Sequence, residues 1–434
     1  MSFTKTISGW GKYLKTKSEI VTPKNFEEII NNLHQPSIPR GMGRSYGDSA
    51  NFQKVIQTNL LNKIIEFDEE SGSLTCEAGI TIRNILDLII PKGWFMPVSP
   101  GTSYATLGGA IASDVHGKNH HLSGTFGEHV RSIKIMLGNG EIVSASSTNL
   151  PDLFRATCGG MGLTGVILSA TINLLPIKSS KIFQTEFKTN TLEETCSIFE
   201  DNEKSTYSVA WLDSLASGQS LGRGIIFLGE HNQNGNLNFK AKKNITVPKI
   251  TPSFLINKYS IEIFNKIYYT IAKNGKKREV DLFDYFYPLD KINKWNRLYG
   301  KNGFIQYQFV IPNENSAKNI RIILNKIQEL GLSSFLTVLK KFGKQNNNLL
   351  SFPMSGYTLG LDFKVNEKLP QNIKELDKII VNMGGKIYLT KDSLMSEETF
   401  KSTYKRWEEF EDTRAKYHAI GKFCSDQSKR LGLG

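Results

Sequence analysis

Residues 100–126, PGTSYATLGGAIASDVHGKNHHLSGTF, decide how the rest of the chain is read. Gly101, Gly108, Gly109, Gly117 and Gly124 share this run with His116, His120 and His121, and bulky side chains are few. A core element is not written this way. Glycine lets a backbone approach a ligand closely and turn its N–H groups outward, which a phosphate or a flat ring system requires. A second glycine-rich run, Arg40-Gly-Met-Gly-Arg-Ser-Tyr-Gly-Asp48, lies upstream, and a third, Cys158-Gly-Gly-Met-Gly-Leu-Thr-Gly165, lies downstream. Three such loops predict one large ligand wrapped on several sides.

The chain of 434 residues is long enough for two domains with full cores. No apolar run reaches the roughly 18–20 residues that span a bilayer, and the first residues carry lysine but no apolar signal core. Cytoplasmic residence is therefore the expectation. Cys76, Cys158, Cys196 and Cys424 are scattered and form no CxxC pair, which predicts buried, reduced thiols rather than a disulfide frame or a zinc site. A net charge of +13 raises nucleic acid or an anionic membrane as partners. Zinc-finger, RRM and helix-turn-helix signals are all missing, so nucleic acid is set aside.

Residues 1–19 read as an entry segment, Ile20-Val21 as a brief strand, and Phe26–Leu33 as a helix. From Lys54 to Ile82 the pattern alternates as strands; Thr81–Ile90 is a helix with one apolar face, ended by Pro91. VRSIKIMLGNGEIVSAS predicts a hairpin around Gly138-Asn-Gly140, Leu153–Ala156 a short helix, and Val166–Leu175 a buried strand. A boundary falls near Pro176. Beyond it SVAWLD, GRGIIFLG, IQYQFVIP, FLTVLKKFG and TLGLDFKV predict strands, with helices over Asn315–Leu330 and Pro370–Met383. This is an antiparallel sheet covered by helices on one face. A last helix is expected over Met395–Tyr417.

The three glycine-rich loops, with His116-Gly-Lys-Asn-His-His121 at their centre, resemble the vanillyl-alcohol-oxidase (PCMH-type) FAD-dependent oxidoreductases. The chain is more closely similar to the oxidase subunits of decaprenylphosphoryl-β-D-ribose 2′-epimerases. That likeness extends through Phe286-Tyr-Pro-Leu-Asp290, Ile305–Pro312, Val338–Gly343, Leu350-Ser-Phe-Pro353, Tyr388–Ser393 and Cys424–Leu431. The resemblance implies an α+β, two-domain fold: an FAD-binding domain over 1–178, an inserted substrate domain over 179–385, and a return to the FAD domain over 386–434. It implies oxidation of the 2′-hydroxyl of a polyprenyl-phosphate-linked ribose to a ketone, with hydride passed to FAD. This would be the first half of an epimerisation to arabinose in cell-envelope polysaccharide synthesis. A separate NAD(P)H-dependent short-chain reductase would complete it. The rival within enzymes is a soluble sugar, alditol or aldonolactone oxidase that uses oxygen; the rival outside them is a basic nucleic-acid- or membrane-binding protein without flavin.

By the same resemblance the FAD site takes Arg40, Gly41, Met42, Gly43, Arg44, Ser45 and Tyr46 from the first loop. From the second it takes Pro100, Gly101, Thr102, Thr106, Leu107, Gly108, Ala110, Ser113, Asp114, His116, Gly117, Asn119 and His120, and from the third region Gly162, Gly165 and Ile167. Some members of the wider superfamily bond the flavin covalently through a histidine in the first loop; Arg44 stands there, so dissociable FAD is expected. Lys391 and His116 are the catalytic candidates, since a desolvated lysine can take the hydroxyl proton as hydride leaves. Tyr46, Trp211, Tyr287, Gln308, Lys340, Thr358, Gly360 and Lys391 are assigned to the substrate, with Lys340 as phosphate partner. Many actinobacterial members have asparagine and cysteine where Thr358 and Gly360 stand. Without that thiol the pocket is roomier and lacks a nucleophile for electrophilic inhibitors. His116 and His120 have a helical metal-pair spacing, but Gly117 and Asn119 argue against a helix, and no metal is expected. The mixed apolar and basic run Pro252–Lys273 reads as an interfacial helix for peripheral contact with the inner membrane, or as an ordinary packing helix.

Overall fold

The computed structural model describes residues 2–238, 245–248, 252 and 256–434. Parts of the 231–249 loop, and the start of the run read as an interfacial helix, lie outside them.

The first third builds two small sheets. Lys15–Val21, Lys54–Gln57 and Ile38–Arg40 pair in parallel, and Ser2–Ser8 adds an antiparallel outer strand. The second sheet is antiparallel, in the order Ile64–Asp68, Ser73–Glu77, Val166–Asn173, Val130–Met136, Ile142–Ser146. The expected hairpin is its outer pair. The helix Ile82–Ile89 is capped by Thr81, whose hydroxyl accepts from the Asn84 N–H, and Ile82, Ile85, Leu86 and Ile89 bury one stripe. These apolar residues close a core with the sheet and the helix Leu107–Ala112, which lies within the glycine-rich stretch.

An eight-stranded sheet dominates the rest. Its order is Lys276–Asp281, Lys181–Thr189, Gly224–His231, Tyr207–Leu212, Thr337–Phe342, Gly356–Lys364, Phe304–Pro312, Lys386–Ile387, with every neighbour antiparallel. Alternation along each strand sends successive side chains to opposite faces. Tyr307, Phe309, Leu339, Leu359 and Leu361 face the helices Leu192–Asp201, Ser316–Glu329 and Leu369–Asn382 and form the largest core. Gln306, Gln308, Val338, Lys340 and Gly360, of the other parity, face a cavity shared with the glycine-rich loops.

After the edge strand Lys386–Ile387 the chain returns to the first third. Ser37 bridges to Phe423, the Asp426 N–H donates to Asn51, and Arg430 ion-pairs with Asp48 and Asp392 at 2.8 and 2.9 Å. One expectation is corrected here: the single helix over Met395–Tyr417 is two, Glu397–Thr403 and Trp407–Lys416. The Ser402 and Thr403 hydroxyls bond the Thr399 carbonyl, competing with the ladder. Tyr404 then leaves helical geometry so that its hydroxyl can donate to the Ile387 carbonyl at 2.6 Å. The Ser2–Ser8 strand was not expected: its side chains are mostly exposed and carry no burial pattern.

Candidate functional site

The loops of the first third and the inner face of the large sheet enclose a cavity of about 670 Å³. One part of it is walled by backbone. Gly41 runs so close to the neighbouring loop that a Cβ there would sit 2.2 Å from Thr106 Oγ1, and Gly43 holds φ +61°, where side chains are strained. The N–H groups of Met42, Gly43, Arg44 and Ser45 donate to no main-chain acceptor among the described residues. The four residues line the cavity, and N–H groups left free there suit a ligand rich in anionic oxygens. The Arg44 guanidinium lies between the rings of Trp10 and Tyr104, 4.2 and 4.8 Å from their centroids. Arg40 does different work from its neighbours. Its side chain donates to the Ala50 carbonyl, Asn51 Oδ1 and the Ser8 carbonyl, so it braces the loop while also lining the cavity. Asp290 fixes the Pro100–Ser103 turn by accepting from Thr102 Oγ1, Ser103 Oγ and the Ser103 N–H at 2.7–2.8 Å.

The other part of the cavity gathers ionisable groups. Lys391 Nζ sits 3.9 Å from the Tyr46 ring centroid. Burial pushes its amine down to about 7, with the Asp362 carboxylate opposing that shift and Lys340 adding to it. Asp362 is buried under Gln306, which donates to it at 2.7 Å, and burial lifts its carboxyl to about 7. Because these two groups perturb each other, their titration belongs to the pair. Lys340 is held down to about 8 and Lys118 to about 7, both by burial. Three amines of depressed basicity, Lys118, Lys340 and Lys391, therefore line this part of the cavity, with Asp362 behind the wall, an arrangement that suits an anionic ligand.

His116 lies among Phe342, Phe352 and Tyr388, and burial, then Lys340, hold it neutral. The bonding around it assigns its tautomer. Thr358 Oγ1 donates to the Phe309 carbonyl at 2.8 Å and accepts from Gln308 Nε2 at 3.1 Å. The same amide nitrogen meets His116 Nε2 at 3.1 Å. Gln308 is thus the donor, the ring proton lies on Nδ1, and Nδ1 faces Lys340 Nζ at 3.2 Å.

Most residues expected at the site line this cavity: Gly41–Tyr46, Pro100–Thr102, Thr106, Gly108, Ser113, His116, Gly117, Gly162, Gly165, Ile167, Trp211, Gln308, Lys340, Gly360 and Lys391. Seven stand behind its wall instead. Leu107 and Ala110 point into the core of the first third. Asp114 accepts from the Gly127 N–H, Asn346, Asn348 and Ser351. Asn119 donates to the Pro97 carbonyl, and His120 accepts from the Gly343 N–H across to the large sheet. Tyr287 bonds Ser99, and Thr358 lies beneath Gln308. These side chains hold the ligand-facing segments in place. His120 opens a one-turn helix, His120–Ser123, that excludes His116, and among the described residues no group of three His, Cys, Asp or Glu side chains could hold a metal.

The sequence reading missed Lys118, Gln306, Asp362, Asp290, Phe264 and Tyr268, of which all but Asp362 line the cavity. A signal existed for two of them. Gln306 and Gln308 are the polar positions of the alternating run Ile305-Gln-Tyr-Gln-Phe309, and Asp362 has the same parity as Thr358 and Gly360.

Comparison with known proteins adds four findings. Residues 20–146 match the model of an FAD binding domain. The decaprenylphosphoryl-β-D-ribose oxidase of Mycolicibacterium smegmatis is 36% identical over 99% of this chain and 98% of its own length. A Streptomyces coelicolor protein known by its place in the mprA 5′ region is 28% identical over 82% of this chain and 100% of its own. The D-arabinono-1,4-lactone oxidase of Kluyveromyces lactis is 30% identical over only 32% of this chain and 28% of its own.

Proposed function

The chain belongs to the decaprenylphosphoryl-β-D-ribose oxidase family of FAD-dependent oxidoreductases, and from that premise we propose that it oxidises the 2′-hydroxyl of a ribose carried on a polyprenyl phosphate. The product is the 2′-keto sugar, and a separate NAD(P)H-dependent reductase returns it with inverted configuration. We read residues 1–178 and 386–434 as the FAD-binding unit and 179–385 as the inserted substrate unit. The observation that carries the reading is the continuity of one cavity from the Gly41–Ser45 loop, whose 42–45 N–H groups have no main-chain acceptor among the described residues, to the Lys391 cluster.

FAD supplies the hydride acceptor when it is bound. The first loop and the Pro100–Thr106 turn would hold it, non-covalently on the side of Arg44, whose guanidinium is not a nucleophile. Lys391, with an amine near 7, takes the hydroxyl proton as the C2′ hydride leaves, and the Tyr46 ring steadies the resulting ammonium. His116 and Gln308 orient the sugar. Lys340 and Lys118 offer charge to the phosphate, while Trp211, Phe264 and Tyr268 wall the route for an apolar stem. The Gly360 backbone leaves room beside Gln308 that a larger residue would fill.

Anaerobic bleaching of the flavin tests the assignment. A polyprenyl-phosphoryl ribose should reduce it within one turnover, and soluble polyols or aldonolactones should not. The reverse pattern would select the oxygen-using lactone oxidase, a reading that has similarity over less than half of this chain behind it.

A further inference from the structure

We propose that the outer face of the Lys258–Ile271 helix is a docking surface for an anionic lipid bilayer. The helix is capped by Asn257, whose side chain accepts from the Tyr259 and Ser260 N–H groups. Its inner face is anchored: Ile261 and Asn265 are buried, Asn265 donates to Asp213 at 2.7 Å, and Tyr268 packs edge-on to Trp211. The outer face is apolar where a soluble surface should be polar. Tyr259, Ile263, Ile267 and Ile271 are 76%, 61%, 57% and 66% exposed. Spaced four apart, they form a row about 18 Å long within about 120° of the helix surface. A continuous row of this kind differs from the single exposed apolar residues that are ordinary on proteins.

Charge selects the occupant. Between Ile256 and Asp281 stand six cations, Lys258, Lys266, Lys273, Lys276, Lys277 and Arg278, against three carboxylates, Glu262, Glu279 and Asp281. Two of those carboxylates are engaged elsewhere, Glu279 by Asn232 and Asp281 by Lys181. An apolar row flanked by lysine matches the headgroup and acyl boundary of an anionic leaflet, in which such helices sink about 5–10 Å. A second copy of the chain would instead bring like charge against like. Position agrees with this choice. Phe264 and Tyr268 line the cavity, and Phe264 is still 37% exposed, so this helix forms the cavity's rim. A molecule seated by this face would meet a lipid-linked sugar where it leaves the bilayer. That purpose rests on the proposed substrate; the surface itself does not.

The test is co-sedimentation of the FAD-loaded full chain with vesicles of equal phosphatidylglycerol and phosphatidylcholine, and with phosphatidylcholine alone. Binding should require phosphatidylglycerol and weaken with salt over the Debye range. Ile263→Asp with Ile267→Asp should reduce vesicle affinity at least about tenfold, since each loses several buried methylenes. Lys276→Gln with Lys277→Gln should reduce the phosphatidylglycerol dependence. Both variants alter exposed residues, so flavin absorbance and melting temperature should stay at the parent values. Unchanged vesicle affinity in the Ile263→Asp, Ile267→Asp variant overturns the proposal. So does a concentration-dependent dimer that this variant abolishes, which would give the face to a second copy. Oxidation of a short-chain ribosyl phosphate in the same preparations separates the two readings. Turnover without vesicle binding removes the surface alone, and vesicle binding without turnover removes the substrate alone.

Discussion

Replacing Asp362 with asparagine should move the pH dependence of flavin reduction toward acid. Asparagine keeps the size of the side chain and an acceptor for Gln306, so the change is one of charge. If Lys391 acts as the neutral amine, the anaerobic reduction rate rises about tenfold per pH unit below 7 and levels off above. The Asp362 carboxylate favours the ammonium form and so holds that limb up. For a nominal separation of about 8 Å and an effective dielectric of about 20, a unit charge pair is worth roughly 2 kcal/mol, or about 1.5 pH units. Asp362 is itself lifted toward neutrality by burial and titrates with Lys391 as a pair, so the shift is toward lower pH and smaller than that full value. Stopped-flow bleaching from pH 5 to 9 reads the limb directly. Lys391→Met should abolish it and slow reduction about 10²–10⁴-fold. A limb that stays put in Asp362→Asn, or moves to higher pH, would refute the assignment of Lys391 as proton acceptor.

Other consequences follow from single sites. If the flavin is held non-covalently, as proposed, acid precipitation of the loaded protein should leave it in the supernatant; absorbance retained in the pellet would contradict this. Gly360→Cys should fold normally, since a Cβ there meets only Gln308 carbons at 3.8–3.9 Å. Intact mass after iodoacetamide should then show one adduct, because the four native cysteines are buried, and saturating substrate should block it. Gly41→Ala should lose flavin affinity and melt earlier, as its new methyl group would collide with Thr106. Asp377→Asn should raise the melting temperature increasingly with pH. Burial lifts the Asp377 carboxyl from 3.8 to about 7, so its ionisation penalty is absent below pH 4, grows between 4 and 7, and is constant above. The gain at pH 8 should reach about 2–4 kcal/mol, with the oxygen of the new amide still accepting from the Tyr307 hydroxyl; equal gains at pH 5 and pH 8 would contradict the cause.

What could be read in advance depended on whether a residue's neighbours are near it in sequence. The helix Ile82–Ile89 announces itself through apolar spacing, a Thr81 cap and Pro91, all local, and the structure agrees to within a residue. Ser2–Ser8 announces nothing, because it exists only through pairing with Lys15–Val21. The large sheet is an intermediate case. Its strands are visible as β-rich runs, yet with both faces buried the apolar pattern does not say which parity meets helices and which meets a ligand. Only the misplaced polar residues do. Gln306, Gln308, Lys340 and Asp362 lie in largely apolar strands, and all four carry the parity opposite to the helix-facing residues, whereas Lys341, of the other parity, ion-pairs with Glu200 on the helix side.

The glycine-rich stretch shows the complementary failure, and its cause lies in the backbone. Spacing located the motif but could not separate wall from support, because the chain reverses at Asp114, which holds φ +38°. That reversal turns His116 toward Gln308 and Lys340 while Asp114 points back to Asn346, Asn348 and Ser351. Two residues apart in a motif, one faces the chemistry and the other ties the loop to the 346–351 segment. The burial of Asp114 is answered by four donors, so removing its charge should be felt as loosening of that tie before any change in proton transfer. Asp114→Asn should therefore lower the melting temperature and flavin affinity while leaving the acid limb of reduction where Lys391 sets it. A displaced limb with undiminished stability would mean that the carboxylate acts on the chemistry directly, and that the division between wall and support has been drawn in the wrong place.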